Sequence, residues 1–433
     1  MDWIAETFTS DVGWSHLEAL VDVGSRMAGS EGEREGLELT RDALAAVGAN
    51  QARIEEFDIQ GWTRGSSELH AGDTEQACIA LPRSPSDTVT GPLVDVGHGL
   101  PQDFEDADLD GAIVLASSDV PDWYDRFLHR REKYYAAVEA GAAAFVFRNH
   151  VEGCLAPTGS VGTDEAPIGD IPAVGVSKEV GARLARRFEG ADVTVSVDAE
   201  AHDATSGIVH ASLGPPTDER VLLTSHVDAH DIAEGAMDNG AGTATVVEIV
   251  RALAAREDDL DTRVEIACFG AEEVGLCGSE HLAATTDTDS IRAVVNLDGV
   301  VRGRTLRVST HHFGPLESAV ERVGGRFDHP ISVDPTLVPH SDHWPFVARG
   351  VPGVMVASET DGPGRGWGHT RADTLDKLQS RDLRESAILL TALVVEVADA
   401  DFECPHMPAA DLQAALEAEG YAEGMRRTGD WPF

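Results

Sequence analysis

A chain of 433 residues, 42% of them hydrophobic, is long enough to form two or three domains with buried cores. Its 76 Asp and Glu against 33 Lys and Arg give a formal charge of −43, so neither nucleic acid nor an anionic membrane is an expected partner, because phosphate binding requires clustered cations. So acidic a composition is typical of halophilic proteins, since multimolar salt screens the repulsion between carboxylates within about 3 Å.

The sequence predicts neither export nor membrane insertion. The N-terminal stretch MDWIAETFTSDVG lacks the basic and apolar regions of a secretion signal. No apolar run approaches the roughly 18 residues of a membrane span. The scattered cysteines show no CxxC pair, which favours reduced thiols and a cytoplasmic location. They are Cys78, Cys154, Cys268, Cys277 and Cys404.

Three regions with different sequence patterns follow one another along the chain. Residues 14–48 have helical periodicity. Short alternating runs such as GAIVLASSD and AAFVFRN, separated by Gly, Pro and Asp, then predict a β-rich unit. From about residue 205, strands alternate with helices, so we expect an α/β domain whose mixed, largely parallel central sheet is flanked by helices. The predicted divisions are 1–64, 65–200, 201–400 and an acidic tail with one helix at 401–433.

Polar side chains appear where three of these apolar strands end. VLLTSHVD ends in His226 and Asp228, RVEIACFGAEE ends in Glu272 and Glu273, and AVVNLDG ends in Asp298. Ligands of open α/β sheets bind beyond the carboxyl ends of the strands. A merely solvated acidic surface would not respect that boundary, so these residues are candidates for a functional site.

Two further positions complete a set of metal-ligand types. Asp238 precedes a Gly-rich helix entry, where either it or Asn239 is also a credible helix cap. GHTRADTLDKL adds His369, whereas Asp373 in the same segment fits a helix start or a surface position. Imidazoles and carboxylates of this kind suit two Zn²⁺ ions sharing one bridging carboxylate, with Co²⁺ and Mn²⁺ as alternatives. The set is His226, Asp238, Glu273, Asp298 and His369.

Taken together, five segments resemble the two-zinc exopeptidases of the leucyl aminopeptidase and glutamate carboxypeptidase type, clan MH. HVDAHDIAEGAMDN, FGAEEVGLCGSEHL, NLDG, SDHWPF followed by GVP, and GHTRADTLDKL occur in that family's order and spacing. GSRMAGSEGEREG resembles the family's opening segment, and the resemblance covers roughly residues 15–400. Residues 65–200, with GAIVLA, Lys133 and IPAVGVS, resemble the protease-associated domain that some members insert.

The resemblance implies a role for each candidate. Asp238 would bridge the ions, with His226 and Asp298 on one ion and with Glu273 and His369 on the other. Two residues outside this ligand set would serve catalysis, Glu272 as general base for the attacking water and Asp228 by orienting His226. A cis peptide bond is also implied at Asp238–Asn239.

One departure concerns the substrate pocket. Gly368 stands where many relatives carry an aromatic residue, so the partner of the developing oxyanion is open. Asp342 and His343, in PHSDHWPF, are candidates for substrate binding, although a helix cap followed by a partly buried histidine explains them equally well. His230 and Asp231 match nothing in the family pattern and are interpreted as loop residues.

The leading functional hypothesis is a metal-dependent aminopeptidase that acts on short peptides. A carboxypeptidase or dipeptidase of the glutamate carboxypeptidase branch is the alternative. A glutaminyl-cyclase-like acyltransferase, which keeps one working zinc, and a non-catalytic binding protein are disfavoured because the full ligand set and the base are present. The insert is interpreted as a lid or a partner surface, and the sequence does not indicate an oligomeric state.

Overall fold

The computed structural model describes residues 2–124, 126–360 and 366–433. Its strands are β1 (Asn50–Ala71), β2 (Thr74–Gln76), β3 (Ile79–Ala80), β4 (Asp87–Asp95), β5 (Ile113–Ser117), β6 (Ala144–Arg148), β7 (Ala173–Val176), β8 (Asp192–Leu213), β9 (Arg220–His226), β10 (Arg263–Phe269), β11 (Ile291–Leu297), β12 (Leu306–Ser309), β13 (Ile331–Asp334) and β14 (Gly353–Ser358). Its α-helices are α1 (Asp2–Thr9), α2 (Val12–Asp22), α3 (Glu31–Ala46), α4 (Pro101–Glu105), α5 (Arg130–Glu139), α6 (Lys178–Phe188), α7 (Ala241–Ala254), α8 (Cys277–Thr285), α9 (Gly314–Phe327), α10 (Trp344–Val347), α11 (Ser380–Val397), α12 (Ala409–Ala418) and α13 (Ala422–Thr428).

The described strands form one continuous sheet in the order β13-β12-β14-β11-β9-β10-β8-β4-β5-β6-β7-β3, with β1 paired along β8 and β2 paired with β1. The four central strands β14, β11, β9 and β10 are mutually parallel, whereas β8 runs antiparallel to β10 and β12 runs antiparallel to β14. This is the mixed, largely parallel sheet that the sequence predicts.

The central strands are mostly apolar and largely buried because helices cover both faces. Every residue of β9 is buried, as expected for a parallel strand enclosed by helices. Helix α7 packs against β9 and β11 and is itself covered by α2 and α11. The polar ends of β9, β10 and β11 therefore emerge from a rigid, closely packed layer.

Two long antiparallel strands connect the central sheet with the insert. β1 and β8 each have 22 residues, and β8 pairs with β10 at one end and with β4 at the other. The predicted divisions at 65 and 200 therefore fall within continuous strands. The insert also has an apolar core of its own, built from β5, β6 and α5.

Residues 401–433 do not form a free acidic tail. The predicted helix is present as α12, and α13 follows it. Leu412 and Met425 are buried in the main core, and Arg131 of the insert forms an ion pair with Asp430 at 2.6 Å. The C-terminal segment thus packs on both parts of the molecule.

Two sequence features have simple structural counterparts. All five cysteines are free thiols. Among the residues that the structure describes, no helix is both long enough and apolar enough to cross a bilayer.

Lys133 is a buried cation at the centre of the insert. Its Nζ donates to the carbonyls of Ser117 and Asp119, each at 2.8 Å. Burial lowers the pKa of Lys133 from the ordinary 10.5 to about 8, although nearby Asp119 opposes the shift. Between these two pKa values the unfolded chain binds more protons than the folded chain, so the free energy of unfolding rises with pH.

Replacing Lys133 by Met should remove this pH dependence. Between pH 7.5 and 9.5, the free energy of unfolding of the wild type should rise by roughly 1–2 kcal/mol relative to that of Lys133→Met. Denaturant titrations of both full chains at the two pH values measure the difference. An equal response of the two proteins to pH would contradict the assigned titration.

Candidate metal centre

Three adjacent parallel strands bring the predicted residues to one edge of the sheet. His226 is the last residue of β9, Asp298 directly follows β11, and Glu272 and Glu273 follow β10 in a short loop. Because β11, β9 and β10 are neighbours, their carboxyl ends meet. Asp238 comes from the loop before α7, and His369 comes from the segment before α11.

Asp238 lies between two histidines. Its Oδ1 is 3.5 Å from Nε2 of His226, and its Oδ2 is 3.3 Å from Nε2 of His369. One carboxylate thus presents a different oxygen to each imidazole. This is the arrangement of a carboxylate that bridges two cations.

The remaining ligands fall into two groups around this bridge. Nε2 of His226 is 3.9 Å from Asp298 Oδ1 and 4.0 Å from Glu272 Oε2. On the other side, Nε2 of His369 is 3.1 Å from Glu273 Oε2. The structure therefore brings together all five predicted ligands and the predicted base.

These separations fit divalent metal ions. Zn–N and Zn–O bonds of about 2.0–2.2 Å place tetrahedral ligands roughly 3.3 Å apart, close to the ligand spacing around Asp238. Among the described residues, the buried atoms His226 Nε2 and Glu273 Oε1 have no hydrogen-bond partner. Buried polar atoms are normally satisfied, so converging unsatisfied ligand atoms indicate a bound cation.

His226 is already in the tautomer that a metal requires. Its Nδ1 lies 3.1 Å from the backbone carbonyl of Asp228, and a carbonyl can only accept, so the ring proton is on Nδ1. The Nε2 lone pair is therefore directed at the site. The Asp228 carboxylate is farther away, at 3.6 Å, so the predicted orienting contact comes mainly from its main chain.

The Asp228 carboxylate instead holds the glutamate loop. Its two oxygens accept hydrogen bonds from the backbone amides of Glu272 and Glu273, at 3.0 and 3.1 Å. The side chain is fully buried. Asp228 thus fixes the position of both the predicted base and a predicted ligand.

Asp373 holds the backbone on which Asp238, the predicted bridging residue, lies. Its carboxylate accepts hydrogen bonds from the amides of Met237, at 2.6 Å, and Asp238, at 3.1 Å. The interpretation of Asp373 as a surface residue is wrong, since it is 3% exposed. Asn239, joined to Asp238 by the implied cis peptide bond, accepts from the amide of Gly242 in the first turn of α7.

Ser341 is a supporting residue that the sequence analysis missed. Its hydroxyl donates to Asp298 Oδ2 at 2.8 Å and accepts a hydrogen bond from the Asn296 amide, also at 2.8 Å. Thr224 in turn donates to the Asn296 side-chain carbonyl at 2.7 Å. This buried chain orients Asp298 towards His226.

Replacing Ser341 by Ala should weaken metal binding without removing a ligand. Loss of such supporting hydrogen bonds typically lowers metal affinity about 10–100-fold. Zinc titration of the metal-free chain measures the change, with the exposed Ser318→Ala as the control. Unchanged zinc affinity in Ser341→Ala would contradict the role assigned to this hydroxyl.

The adjacent glutamates have opposite electrostatic surroundings. Burial raises the pKa of Glu272 well above its ordinary value, against the opposing effect of His226. Burial acts in the same direction on Glu273, but His230 and His369 outweigh it and hold the pKa of Glu273 well below its ordinary value. Glu273 is thus suited to bind a cation, and Glu272 is suited to accept a proton.

A cavity of about 100 Å³ opens above these residues, and the insert forms one of its walls. The catalytic side contributes Glu272, Glu273 and Asp298. From the insert come Phe127 and His129, and the His129 ring stacks on His340 of the catalytic domain at 4.7 Å. The insert is therefore part of the pocket as well as a neighbour of it. The remaining residues that line the pocket are Arg130, Arg131, Ser160, Gly162, Val274, Gly275, Leu276, Pro339, Ser341 and His369.

The prediction that Asp342 and His343 bind substrate needs correction. Both are 0% exposed and lie below the pocket wall, which is formed in this segment by His340 and Ser341. His343 donates from Nε2 to the carbonyl of Val338 at 2.9 Å. Burial raises the pKa of Asp342 to about 7.

The opening segment of the chain clamps the loop that carries Asp238. Arg26, fully buried, donates to the carbonyls of Leu20, Val227, Glu234 and Gly235. The guanidinium thereby ties the residues on either side of that loop to α2. GSRMAGSEGEREG contains this arginine, but its sequence does not reveal which carbonyls it meets.

The insert also reaches the ligand loops directly. The amide of Thr158 donates to the carbonyl of His369 at 2.8 Å. Arg64, on β1, holds the Asp231 carboxylate with two hydrogen bonds at 2.8 and 2.6 Å. Asp231 is thus an anchored residue, where the sequence suggested an unassigned loop position.

Comparison with known proteins agrees with this geometry. The model of Peptidase family M28 matches residues 208–394, and that of the PA domain matches residues 89–184. The part of the chain that carries the candidate metal centre is thus similar to peptidase family M28, and the insert is similar to the PA domain. The predicted family, fold class and insert are confirmed.

Individual relatives span most of the chain. Aminopeptidase YwaD from Bacillus subtilis (strain 168) is 27% identical over 395 residues, which cover 86% of this chain and 81% of YwaD. An aminopeptidase structure from Aneurinibacillus sp. strain AM-1 has 26% identity and a TM-score of 0.70, with 94% of this chain and 98% of that one covered. A Bacillus subtilis zinc aminopeptidase shares the fold, with 24% identity, a TM-score of 0.71 and coverage of 89% and 95%.

Proposed function

We propose that this chain is a two-metal aminopeptidase that removes N-terminal residues from short peptides. The observation that carries the proposal is the Asp238 carboxylate, whose two oxygens face His226 and His369 at 3.5 and 3.3 Å. A single ion would need only one of these oxygens. Asp298 and Glu273 supply a further carboxylate on each side.

The residues of the site have distinct roles in the proposed hydrolysis. Bound divalent ions would polarise the scissile carbonyl and make a water molecule more acidic. Glu272 Oε2, held beside His226 at 4.0 Å, takes a proton from the attacking water and delivers it to the leaving nitrogen. The amides that bind Asp228 keep this carboxylate in place during the transfer.

The charges around the pocket favour a peptide amino terminus over a carboxylate. Carboxypeptidase action requires a cation that is available to the C-terminal carboxylate. Arg131 is paired with Asp430 at 2.6 Å, and Arg130 donates to the Ser160 carbonyl at 2.9 Å. Both arginines that line the pocket among the described residues thus bind protein acceptors. The relatives named above are aminopeptidases, which points in the same direction.

The insert supports a preference for short substrates. Phe127 and His129 of the insert line the same pocket as Glu272, so a folded polypeptide would collide with the insert before its terminus reached the base. Flexible chain ends fit the remaining space. The insert would therefore act as a lid over the pocket, as the sequence suggested.

We also propose that the enzyme works in a salt-rich cytoplasm. The net charge of −43 would make a compact chain repel itself strongly in dilute buffer. Multimolar salt removes this repulsion, because its screening length is about 3 Å. The five free thiols are compatible with a reducing compartment.

A substrate panel in about 2–4 M KCl tests the activity, since screening should keep so acidic a fold compact. Free, N-acetylated and C-amidated forms of one short peptide are compared, with and without a chelator. We expect the free and amidated peptides to lose their N-terminal residue and the acetylated peptide to remain intact. Chelation should abolish turnover, and restoration with Zn²⁺, Co²⁺ or Mn²⁺ identifies the effective ion.

Other results of the substrate panel would favour a function other than aminopeptidase. Cleavage of the acetylated peptide but not the amidated one would favour the carboxypeptidase alternative. Conversion of an N-terminal glutamine to pyroglutamate that stays on the peptide, with release of ammonia and no cleavage of a peptide bond, would favour the acyltransferase. A folded, metal-loaded chain that acts on none of these peptides would overturn the proposed function.

A further inference from the structure

We propose that His230 is a fourth protein ligand of the metal subsite formed by Asp238, Glu273 and His369. This inference rests on the two-metal function proposed above and extends it to a residue outside the family's ligand pattern. It makes the two subsites chemically different. One would be closed by protein ligands, and the other would keep an open position for substrate.

The positions of three side chains carry the inference. Nε2 of His230 is 3.0 Å from Glu273 Oε2, and Nε2 of His369 is 3.1 Å from the same oxygen. The two imidazole rings lie 4.6 Å apart and are nearly perpendicular, at 85°. All three ligand atoms lie within 4.8 Å of one another.

The contact between His230 and Glu273 is not an ordinary hydrogen bond. Although 3.0 Å apart, the two atoms are not aligned as donor and acceptor, and neither ring nitrogen of His230 has a hydrogen-bond partner among the described residues. His230 is only 5% exposed, so water does not readily satisfy it. Two ligands of a common ion show this combination of a short separation and poor alignment.

The space between these side chains has the size of one ion. A cavity of about 10 Å³ is lined by His230, Asp238, Glu273 and His369 together with neighbouring loop residues. A void on this scale accommodates about one small, fully coordinated species. Polar ligand atoms on several sides favour a cation there over an apolar group.

The loop is built to keep His230 in this position. On one side, the amide of Ala229 donates to the carbonyl of Arg26 at 3.0 Å. On the other side, Asp231 is held by Arg64 through two hydrogen bonds. Both neighbours of His230 in the chain are therefore fixed.

Four protein ligands have a clear chemical consequence. Two imidazoles and two carboxylates fill a tetrahedral shell, and structural zinc sites are likewise closed by four protein ligands, whereas three ligands leave a coordination position open. His226, Asp298 and the bridging Asp238 supply three on the other side. We therefore expect the ion beside His230 to bind more tightly and to exchange more slowly.

Zinc titration of the metal-free full chain in KCl tests this difference. Wild type should bind two equivalents in two resolved steps. In His230→Ala the tighter step should weaken at least about a hundredfold, because removing a ligand exceeds the 10–100-fold effect of an outer hydrogen bond. The weaker step should change little. His16→Ala is the matched control, since His16 is also buried but contacts Thr40 and no ligand.

A second variant separates ligation from mere positioning of Glu273. His230→Asn keeps a side-chain donor for a hydrogen bond but binds zinc poorly, so it should resemble His230→Ala. With one Co²⁺ bound, proton NMR should show shifted imidazole N–H signals from two histidines in wild type and from one in both variants. Restored zinc affinity in His230→Asn would reduce His230 to a positioning residue and overturn the inference.

The outcomes distinguish this inference from the proposed function. Two zinc steps and unchanged cobalt signals in His230→Ala would overturn the ligand role of His230 alone. A wild-type chain that binds no zinc would overturn the two-metal function and this inference with it. A selective loss of the tighter step would support both.

Discussion

Glu272→Gln should retain its metal ions and lose nearly all turnover. The amide has almost the shape of the carboxylate but cannot accept the proton of the attacking water, and a positioned base contributes about 10²–10⁴-fold to a rate. We therefore expect kcat to fall by at least about a thousandfold with little change in KM. Steady-state kinetics and metal analysis of the same preparation measure both quantities.

A surface glutamate provides the control for this experiment. Glu280, on α8, pairs with Arg349 at 2.9 Å and lies outside the pocket. Glu280→Gln should keep wild-type kinetics and the same metal content. If Glu272→Gln turned over peptide at a near wild-type rate with both ions bound, another group would have to be the base.

Asp238→Asn should remove the bridge between the subsites. The amide keeps the size of the side chain, but it offers only one oxygen, so it cannot present an acceptor to both His226 and His369. We expect the chain to hold one ion and to bind the second at least about a hundredfold more weakly, with activity lost accordingly. Metal analysis after gel filtration measures the stoichiometry.

The control here is an aspartate that contacts neither subsite. Asp376 lies on the surface and pairs with Lys377 at 2.7 Å. Asp376→Asn should bind two ions as the wild type does. Retention of both ions by Asp238→Asn would show that the two subsites do not share this carboxylate.

The ligands at strand ends could be predicted from the sequence because a parallel sheet imposes their position. An apolar run that ends in His226, Glu272 or Asp298 leaves little choice about where that residue lies once β9, β10 and β11 are neighbours. His369 is different. It lies in the segment before α11, where no described strand fixes its position, so only its residue type and the resemblance to the family's motif pointed to it.

Side-chain direction within irregular segments could not be predicted in the same way. SDHWPF leads into α10, whose four residues are all buried, and the turn that buries them also buries Asp342 and His343. His230 lies in a loop, as the sequence predicts, but the sequence did not show where its side chain points. No periodicity applies between β9 and α7, and the family pattern has no counterpart for this residue.

Residues that support the site were missed for a further physical reason. Arg26 and Ser341 act through partners distant in sequence, such as the Glu234 carbonyl and the Asp298 carboxylate. A single sequence does not pair such groups. The packing of the acidic C-terminal segment could likewise not be predicted, because the position of Leu412 and Met425 in the core depends on contacts with the rest of the domain.

The most direct test of the account is a crystal structure of the zinc-loaded chain, with anomalous diffraction recorded at the zinc edge. Two peaks roughly 3.5–4 Å apart are expected, one beside His226 and Asp298 and the other beside Glu273 and His369, with one oxygen of Asp238 on each. A single peak, or zinc bound away from Asp238, would contradict the two-metal centre.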